Sequence, residues 1–431
     1  MTEAAVHWGG AMFGLVIAII LIFKRVNPVY ALFAGAITGG VLGGASLNET
    51  VGIIIEGTNS VMPAVVRVLA AGVLAGVLIE SGAAEKMAET IVGKLGEKRA
   101  VFAIALAAMI LTAVGVFVTV SIIIVAPIAL SVGRRTGLSK PAILLAMIGG
   151  AKAGNIISPN PNSIAVAKGF NVDLSQVMLY GFLPAVGGIL VTVMIAKLLQ
   201  NKGSKITEPQ HQSGQAEIKD KPSFGKAIVG PVIAITLLAI SPIGSILHID
   251  ALAAVKIDSM IILPFAGIVG LIAMGKFDRI IEYTTAGFNK MTGVAMILIG
   301  AGSIAGIISN SNLSEVVVDS IQAAGISGTL LAPIAGILMS GATAATSMGA
   351  IVAAGTFGDA ILQMGVAPLS AAVMVHTGAT VLDHLPHGNF FHVSADSVKM
   401  SIRERMKLIP YESAIGFTMT VIATILYGFL L

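Results

Sequence analysis

The residues most able to do chemistry form two interrupted segments. The first is Gly149-Gly150-Ala151-Lys152-Ala153-Gly154-Asn155, followed directly by Ile156-Ile157-Ser158-Pro159-Asn160-Pro161-Asn162-Ser163. A lysine in such an apolar run is disfavoured by about 3 kcal/mol at the centre of a bilayer, so a functional cause is expected. It can attract a substrate carboxylate, or it can form a structural ion pair. The two prolines and the run of asparagines that follow cannot continue a regular helix. The second segment is Gly378-Ala379-Thr380-Val381-Leu382-Asp383-His384-Leu385-Pro386-His387-Gly388-Asn389, in which Gly378-Ala379 matches Gly150-Ala151 and Asp383 falls opposite Asn155. His376 and Asp383 are its natural proton carriers, because histidine titrates near neutrality and a carboxylate can exchange a proton. His376 can equally be a structural hydrogen-bonding group and Asp383 a helix cap or the partner of Lys152.

Hydroxyl-bearing and small residues supply the next candidates. One stretch offers Thr112, Gly115, Thr119 and Ser121, and another offers Ser340-Gly341-Ala342-Thr343-Ala344-Ala345-Thr346-Ser347. Hydroxyls and freed amides at the N-terminus of a half-helix suit an anion, since the positive end of the dipole points at it. The candidate substrate-binding residues are Thr119, Ser121, Lys152, Asn155, Ser158, Asn160, Asn162, Ser340, Gly341, Thr343, Thr346, Thr377 and Thr380, with His376 and Asp383 as candidate proton-coupling residues. The plainer reading is that the same small residues are helix-packing surfaces. His384, His387 and His392 fit no standard zinc spacing, and no metal or other cofactor is expected. An intramembrane metal-dependent enzyme built on His376, Asp383, His384 and His387 stands as the alternative from another class.

Something must hold these residues in a bilayer, and the composition says what. Apolar residues make up 56% of the 431-residue chain and charged residues only 11%, far from soluble domains, where charges run near a quarter. The chain reads as an all-α polytopic membrane protein. The absence of cysteine excludes disulfides and thiolate chemistry, and the small net charge is no argument for nucleic acid. No basic segment precedes the first apolar one, which is therefore expected to stay as a span. Spans are expected at 8–23, 28–45, 60–80, 141–158, 177–197, 226–244, 257–275, 291–308, 367–385 and 410–431. Two long interrupted stretches, 100–133 and 329–356, can each be a re-entrant hairpin or a pair of crossings.

Charge and repetition set the topology. With the N-terminus outside, every lysine and arginine except Arg67, Lys152, Lys168 and Lys256 falls in a cytoplasmic segment, a strong positive-inside signal. Arg67 and Glu80 are expected to snorkel toward opposite interfaces, and the basic run Lys399 to Lys407 is expected to face anionic lipid. The motif Ala71-Gly72-Val73-Leu74-Ala75-Gly76 recurs as Ala301-Gly302-Ser303-Ile304-Ala305-Gly306, and at the same offset Gly57, Asn59, Ser81 and Glu85 match Gly287, Asn289, Ser311 and Glu315. Residues 1–200 and 226–431 thus read as two copies joined by a polar cytoplasmic linker, 201–225. Five spans plus one interrupted stretch per copy make the second copy inverted, with both termini outside and the substrate site at the repeat interface.

These motifs resemble the gluconate:proton symporter (GntP) family of bacterial permeases, within the ion-transporter superfamily of inverted-repeat, hairpin-containing carriers. The resemblance spans the whole chain and rests on the Gly149-to-Asn155 run with its Pro-Asn-Pro-Asn sequel, the small-residue run from Ser340 to Thr346, and the histidine-containing motif before the last span. It implies uptake of a small hydroxycarboxylate such as a sugar acid by proton symport, two re-entrant hairpins, a homodimer with elevator-like movement, and a place in the bacterial inner membrane. A sodium-coupled carboxylate carrier or a cation/proton antiporter is the alternative within transporters.

Overall fold

In the computed structural model, which describes residues 6–206, 220–323 and 327–430, the fold is all-helical, with no strand among the described residues. The first half runs through α1 (Trp8–Phe23), α2 (Pro28–Leu42), α3 (Leu47–Glu80), α4 (Ala83–Leu95), α5 (Ala100–Ala113), α6 (Val118–Thr136), α7 (Lys140–Asn155), α8 (Pro161–Gly169), α9 (Leu174–Tyr180) and α10 (Phe182–Leu198). The second runs through α11 (Phe224–Ala227), α12 (Val229–Ile246), α13 (Asp250–Ala253), α14 (Ser259–Met274), α15 (Ile280–Ser309), α16 (Leu313–Ala323), α17 (Leu331–Thr343), α18 (Thr346–Gln363), α19 (Pro368–Gly378), α20 (Asn389–Ser397), α21 (Ile402–Met406) and α22 (Ile409–Thr424). Among the described residues, five helical stretches are long and apolar enough to cross a membrane: Leu47–Glu80, Val118–Thr136, Phe224–Ser245, Phe277–Ser309 and Ile402–Leu430. The pair α9 and α10 adds a sixth if its 42° bend lies within one span.

Several elements differ from expectation for local reasons. The helix expected at 60–80 starts instead at Leu47, where Ser46 and Glu49 form a reciprocal capping box that satisfies two orphan N–H groups. Likewise α15 begins at Ile280, well before 291. The spans expected at 141–158 and 367–385 are half-length helices that stop at Asn155 and Gly378 and resume, after a turn, as α8 and α20. Both interrupted stretches fold back on themselves. The first turns at residues 114–117, where Gly115 adopts φ 104°, a conformation open to glycine, and the Ser121 hydroxyl then reaches back to the Ala108 carbonyl at 3.3 Å. The second turns at Ala344, whose φ of 49° and ψ of 39° are left-handed, a strain of order 1–2 kcal/mol for a residue with a Cβ. Of the expected linker, residues 207–219 lie outside the described residues, while Lys221 bonds Glu85 and Glu89, each at 2.7 Å.

Glycines bring the two long helices together. α3 and α15 cross antiparallel: a Cβ on Gly57 would lie 2.3 Å from the Gly302 carbonyl oxygen, and one on Gly76 would lie 2.3 Å from that of Tyr283 and 2.6 Å from the Gly287 Cα. A Cβ on Gly287 would sit 1.9 Å from the Gly72 oxygen. The recurring motif is therefore a packing surface, with Gly57 of one helix meeting the motif glycines of the other and Gly287 returning the same contact. Backbones that approach this closely gain dispersion contacts that lipid tails cannot match. Arg67 and Glu80 each find an ion-pair partner: Arg67 forks onto Asp258 at 2.6 and 3.0 Å, and Glu80 meets Lys290 at 2.9 Å. Leucine at Gly287 should force the crossing apart, at an overpacking cost of about 1–3 kcal/mol or more, and lower the melting temperature of the detergent-solubilised protein. Gly52, whose Cβ direction is open, should tolerate alanine or gain up to ~1 kcal/mol of helix propensity. An unchanged melting temperature for Gly287→Leu contradicts the crossing.

Candidate functional site

The helix α7 is held by its own glycines. A Cβ at Gly150 would lie 2.0 Å from the Ala105 oxygen and one at Gly154 2.0 Å from the Met109 oxygen, while Thr112 donates its hydroxyl to the Ala151 carbonyl at 2.9 Å. With that face sealed against α5, Lys152 projects from the opposite side toward the turn that follows α19. Its counterpart α19 packs on α17 in the same way, with Gly378 against Pro333 and Gly336 against Val375.

Lys152 is 1% exposed, and all three of its N–H donors are used. They reach the Thr380 carbonyl at 2.7 Å, Asp383 Oδ1 at 2.5 Å and His384 Nδ1 at 3.0 Å. The other carboxylate oxygen of Asp383 accepts from the Thr346 hydroxyl at 2.5 Å. Behind this lies a second ion pair. Arg405 and Glu412 are both fully buried and joined by a two-pronged contact, with Arg405 also donating to Ser394 at 3.1 Å and lying 4.8 Å over the Phe391 ring. His384 stands between the pairs, with Nδ1 3.1 Å from Asp383 and 3.8 Å from Glu412. Its Nε2 faces the Ile409 carbonyl at 3.2 Å and the Ser413 hydroxyl at 3.3 Å.

Beside Asp383 opens a cavity of about 120 Å³ lined by Phe117, Val118, Thr119, Asn155, Asn160, Pro161, Asn162, Ala345, Thr346, Ser347, Asp383 and Phe390. Four helices begin at it: α6 at Val118, α8 at Pro161, α18 at Thr346 and α20 at Asn389. Only α8 carries a side-chain cap, Asn160 accepting from the amides of Asn162 and Ser163 at 2.8 and 3.1 Å. The N-caps of the others are Phe117, Ala345 and Gly388, none of which makes a side-chain cap bond. Their first-turn N–H groups are left for another acceptor, and each such terminus carries a partial positive charge near one half.

Of the residues singled out by sequence, Thr119, Asn155, Asn160, Asn162, Thr346 and Asp383 line this cavity. Lys152 and the Thr380 carbonyl lie just behind it. The others sit elsewhere: Ser121 bonds Ala108, Ser340 bonds Ile337, Thr343 bonds Met339 within its own helix, and Thr377 bonds Val373. The Ser158 hydroxyl is buried with no hydrogen-bond partner among the described residues, and Gly341 packs on Leu382. His376 is buried among apolar neighbours, and its Nε2 has no partner among the described residues. The three clustered histidines go different ways: His384 meets Asp383 and Glu412, His387 packs near Phe23 and His392 meets the Pro386 carbonyl. Arg405 is not on a lipid-facing surface as the basic run suggested, because Glu412 draws it inward. Glu412, a carboxylate inside the expected last span, was the sequence signal for that pairing. Phe117 and Phe390 carried no such signal.

Comparisons with known proteins agree with a transporter. A sequence model described as GntP family permease matches residues 9–430. An uncharacterized transporter of Haemophilus influenzae is 52% identical over 97% of both chains. The high-affinity gluconate transporter of Escherichia coli is 21% identical over 88% of this chain and 89% of its own, and a gluconate permease of Pseudomonas aeruginosa is 24% identical over 91% of each. Among solved structures, the YdaH transporter of Alcanivorax borkumensis shares the fold, with a TM-score of 0.63 at 15% identity over 85% of both chains. These relatives are permeases and transporters and not enzymes, which sets aside the metalloenzyme alternative. With the helices to span a cell membrane several times and a family match from end to end, this chain belongs to the GntP family of permeases.

Proposed function

We propose that this permease imports a small hydroxycarboxylate of the sugar-acid class by proton symport, binding its carboxylate in the cavity between the two hairpin turns and the two broken helices. The observation that carries the reading is the convergence of four helix N-termini, three of them uncapped, on one small cavity. Uncapped N-termini leave amides aimed at an acceptor, and their dipoles favour negative charge. Thr119, Thr346, Ser347 and Asn162 add the polar side chains that hydroxyl groups of such an acid need. A volume of about 120 Å³ holds roughly four waters, the size of one polar end of a substrate. Gluconate transport by relatives supports the same class.

The reading includes two inverted repeats, residues 1–200 and 226–431, with the termini outside, and a homodimer as the family resemblance implies. Supporting the inversion, α3 and α15 cross antiparallel with Gly57 and Gly287 exchanging equivalent contacts, and Lys152 bonds the backbone of Thr380, its own counterpart in the second half. Inverted halves let one site open to either side by exchanging conformations. Lys152 serves this site from behind, since its donors are already committed.

Proteoliposome uptake across gluconate, glycerate and lactate, with proton or sodium gradients imposed separately, tests the function. Accumulation of at least one acid under an inward proton gradient is expected. Accumulation under sodium alone, or none under either, contradicts the reading. Ser347→Ala, which removes a hydroxyl lining the cavity, should raise the apparent KM about tenfold, equivalent to ~1.4 kcal/mol for a hydrogen bond to a charged group, with folded yield unchanged. Lys152→Met leaves Asp383 buried and unpaired, a cost of about 3–5 kcal/mol. Its melting temperature should fall, and Lys152→Met/Asp383→Leu should recover most of that loss while still failing to transport.

A further inference from the structure

Four charged side chains are buried among the described residues, Lys152, Asp383, Arg405 and Glu412, and they form one cluster whose two positive and two negative charges cancel. His384 is the group that joins the two pairs. Its Nε2 faces the Ile409 carbonyl, which only accepts, while a proton on Nδ1 would oppose the Lys152 ammonium 3.0 Å away, and this favours the ring proton on Nε2. Nδ1 then holds a lone pair, and that lone pair accepts the third N–H of Lys152. In this arrangement the histidine is neutral and the cluster is balanced.

Resting on the symport reading above, we propose that His384 carries the coupled proton, on Nδ1, and that the proton and the substrate anion enter the same charge balance. The other titratable groups facing the cluster are already engaged. Asp383 accepts from Lys152 and Thr346, Glu412 is forked by Arg405, and the Lys152 ammonium has no lone pair to protonate. The Ser413 hydroxyl beside Nε2 completes the surroundings contributed by α22. Among the described residues His376 Nε2 has no hydrogen-bond partner, so it is not joined to the cluster.

Proton arrival at Nδ1 converts a lone pair into an N–H donor. The new donor can turn to Asp383 Oδ1 at 3.1 Å, and the Lys152 N–H that occupied the lone pair is released beside the carboxylate that borders the cavity. No covalent bond other than N–H forms, and Lys152 keeps its protons. A monoanion entering the cavity adds one negative charge to a balanced, poorly solvated cluster, and a protonated His384 restores balance. Anion and proton therefore favour each other's binding by the same factor, as linkage requires. One proton per monoanion makes the cycle electroneutral, so accumulation should follow the pH gradient and ignore the membrane potential.

The test uses the full-length protein in proteoliposomes with whichever acid of the panel accumulates best. Wild type should reach about tenfold accumulation for a gradient of one pH unit, unaltered by a potassium diffusion potential. His384→Asn places a non-titrating acceptor near Nδ1; it should keep counterflow exchange and lose proton-driven accumulation, while His376→Asn keeps both. Accumulation by His384→Asn equal to wild type overturns the proposal, as does a wild-type response to membrane potential. Loss of counterflow in both His384→Asn and His384→Gln, with normal melting temperatures, also overturns it by making the residue a binding element. Failure of wild type to accumulate any acid under a proton gradient is the separate result that removes the symport reading itself.

Discussion

A single buried ammonium group ties the two halves of this permease together. Lys152 reaches across from α7 to the turn after α19 and spends its three donors on a backbone carbonyl, a carboxylate and an imidazole. A charge at this depth persists only when every donor is satisfied. That requirement fixes the position of the turn, and with it the carboxylate of Asp383 at the cavity wall. The glycines of α7 make this possible by letting α5 lie against one face, so that the other face is free to project the lysine.

The cavity is organised by interruption. Helices α6, α8, α18 and α20 all start at it because their predecessors end there, at Gly115, at the Pro159 and Pro161 pair, at left-handed Ala344 and at the loop closed by Gly388. Non-helical backbone inside a bilayer survives only where protein or an enclosed polar space satisfies it. Here Asn160 caps α8, and the first turns of the other three helices are left without a side-chain cap beside one cavity. The crossing of α3 and α15 stands behind this as a rigid partition, close enough that only glycine fits at its contact points.

Much of this was legible in the sequence, for identifiable reasons. Lys152 stood out because a charge in an apolar run has no neutral explanation, and the paired breaks were visible because proline and glycine punctuate a helix wherever they occur. The repeated glycine motif announced a packing surface. The lengths of the helices were less legible: α3 extends back to a capping box at Ser46 that hydrophobicity does not report. Which histidine meets the charges could not be read, since the turn at 379–388 abandons the helical period that places His376. Arg405 was hidden in a run of basic residues, and only its distant partner Glu412 distinguishes it from its neighbours.

The central claim is that the carboxylate of the substrate sits where the four helices begin. A structure of the protein with gluconate at saturating concentration, at a resolution that separates the ligand from water, tests it most directly. The account predicts carboxylate density within hydrogen-bond distance of the first-turn amides of α6 and α18 and of the Ser347 hydroxyl, with Lys152 still bound to Asp383 or released only from His384. Gluconate density anywhere else, with water alone in this cavity, would contradict it.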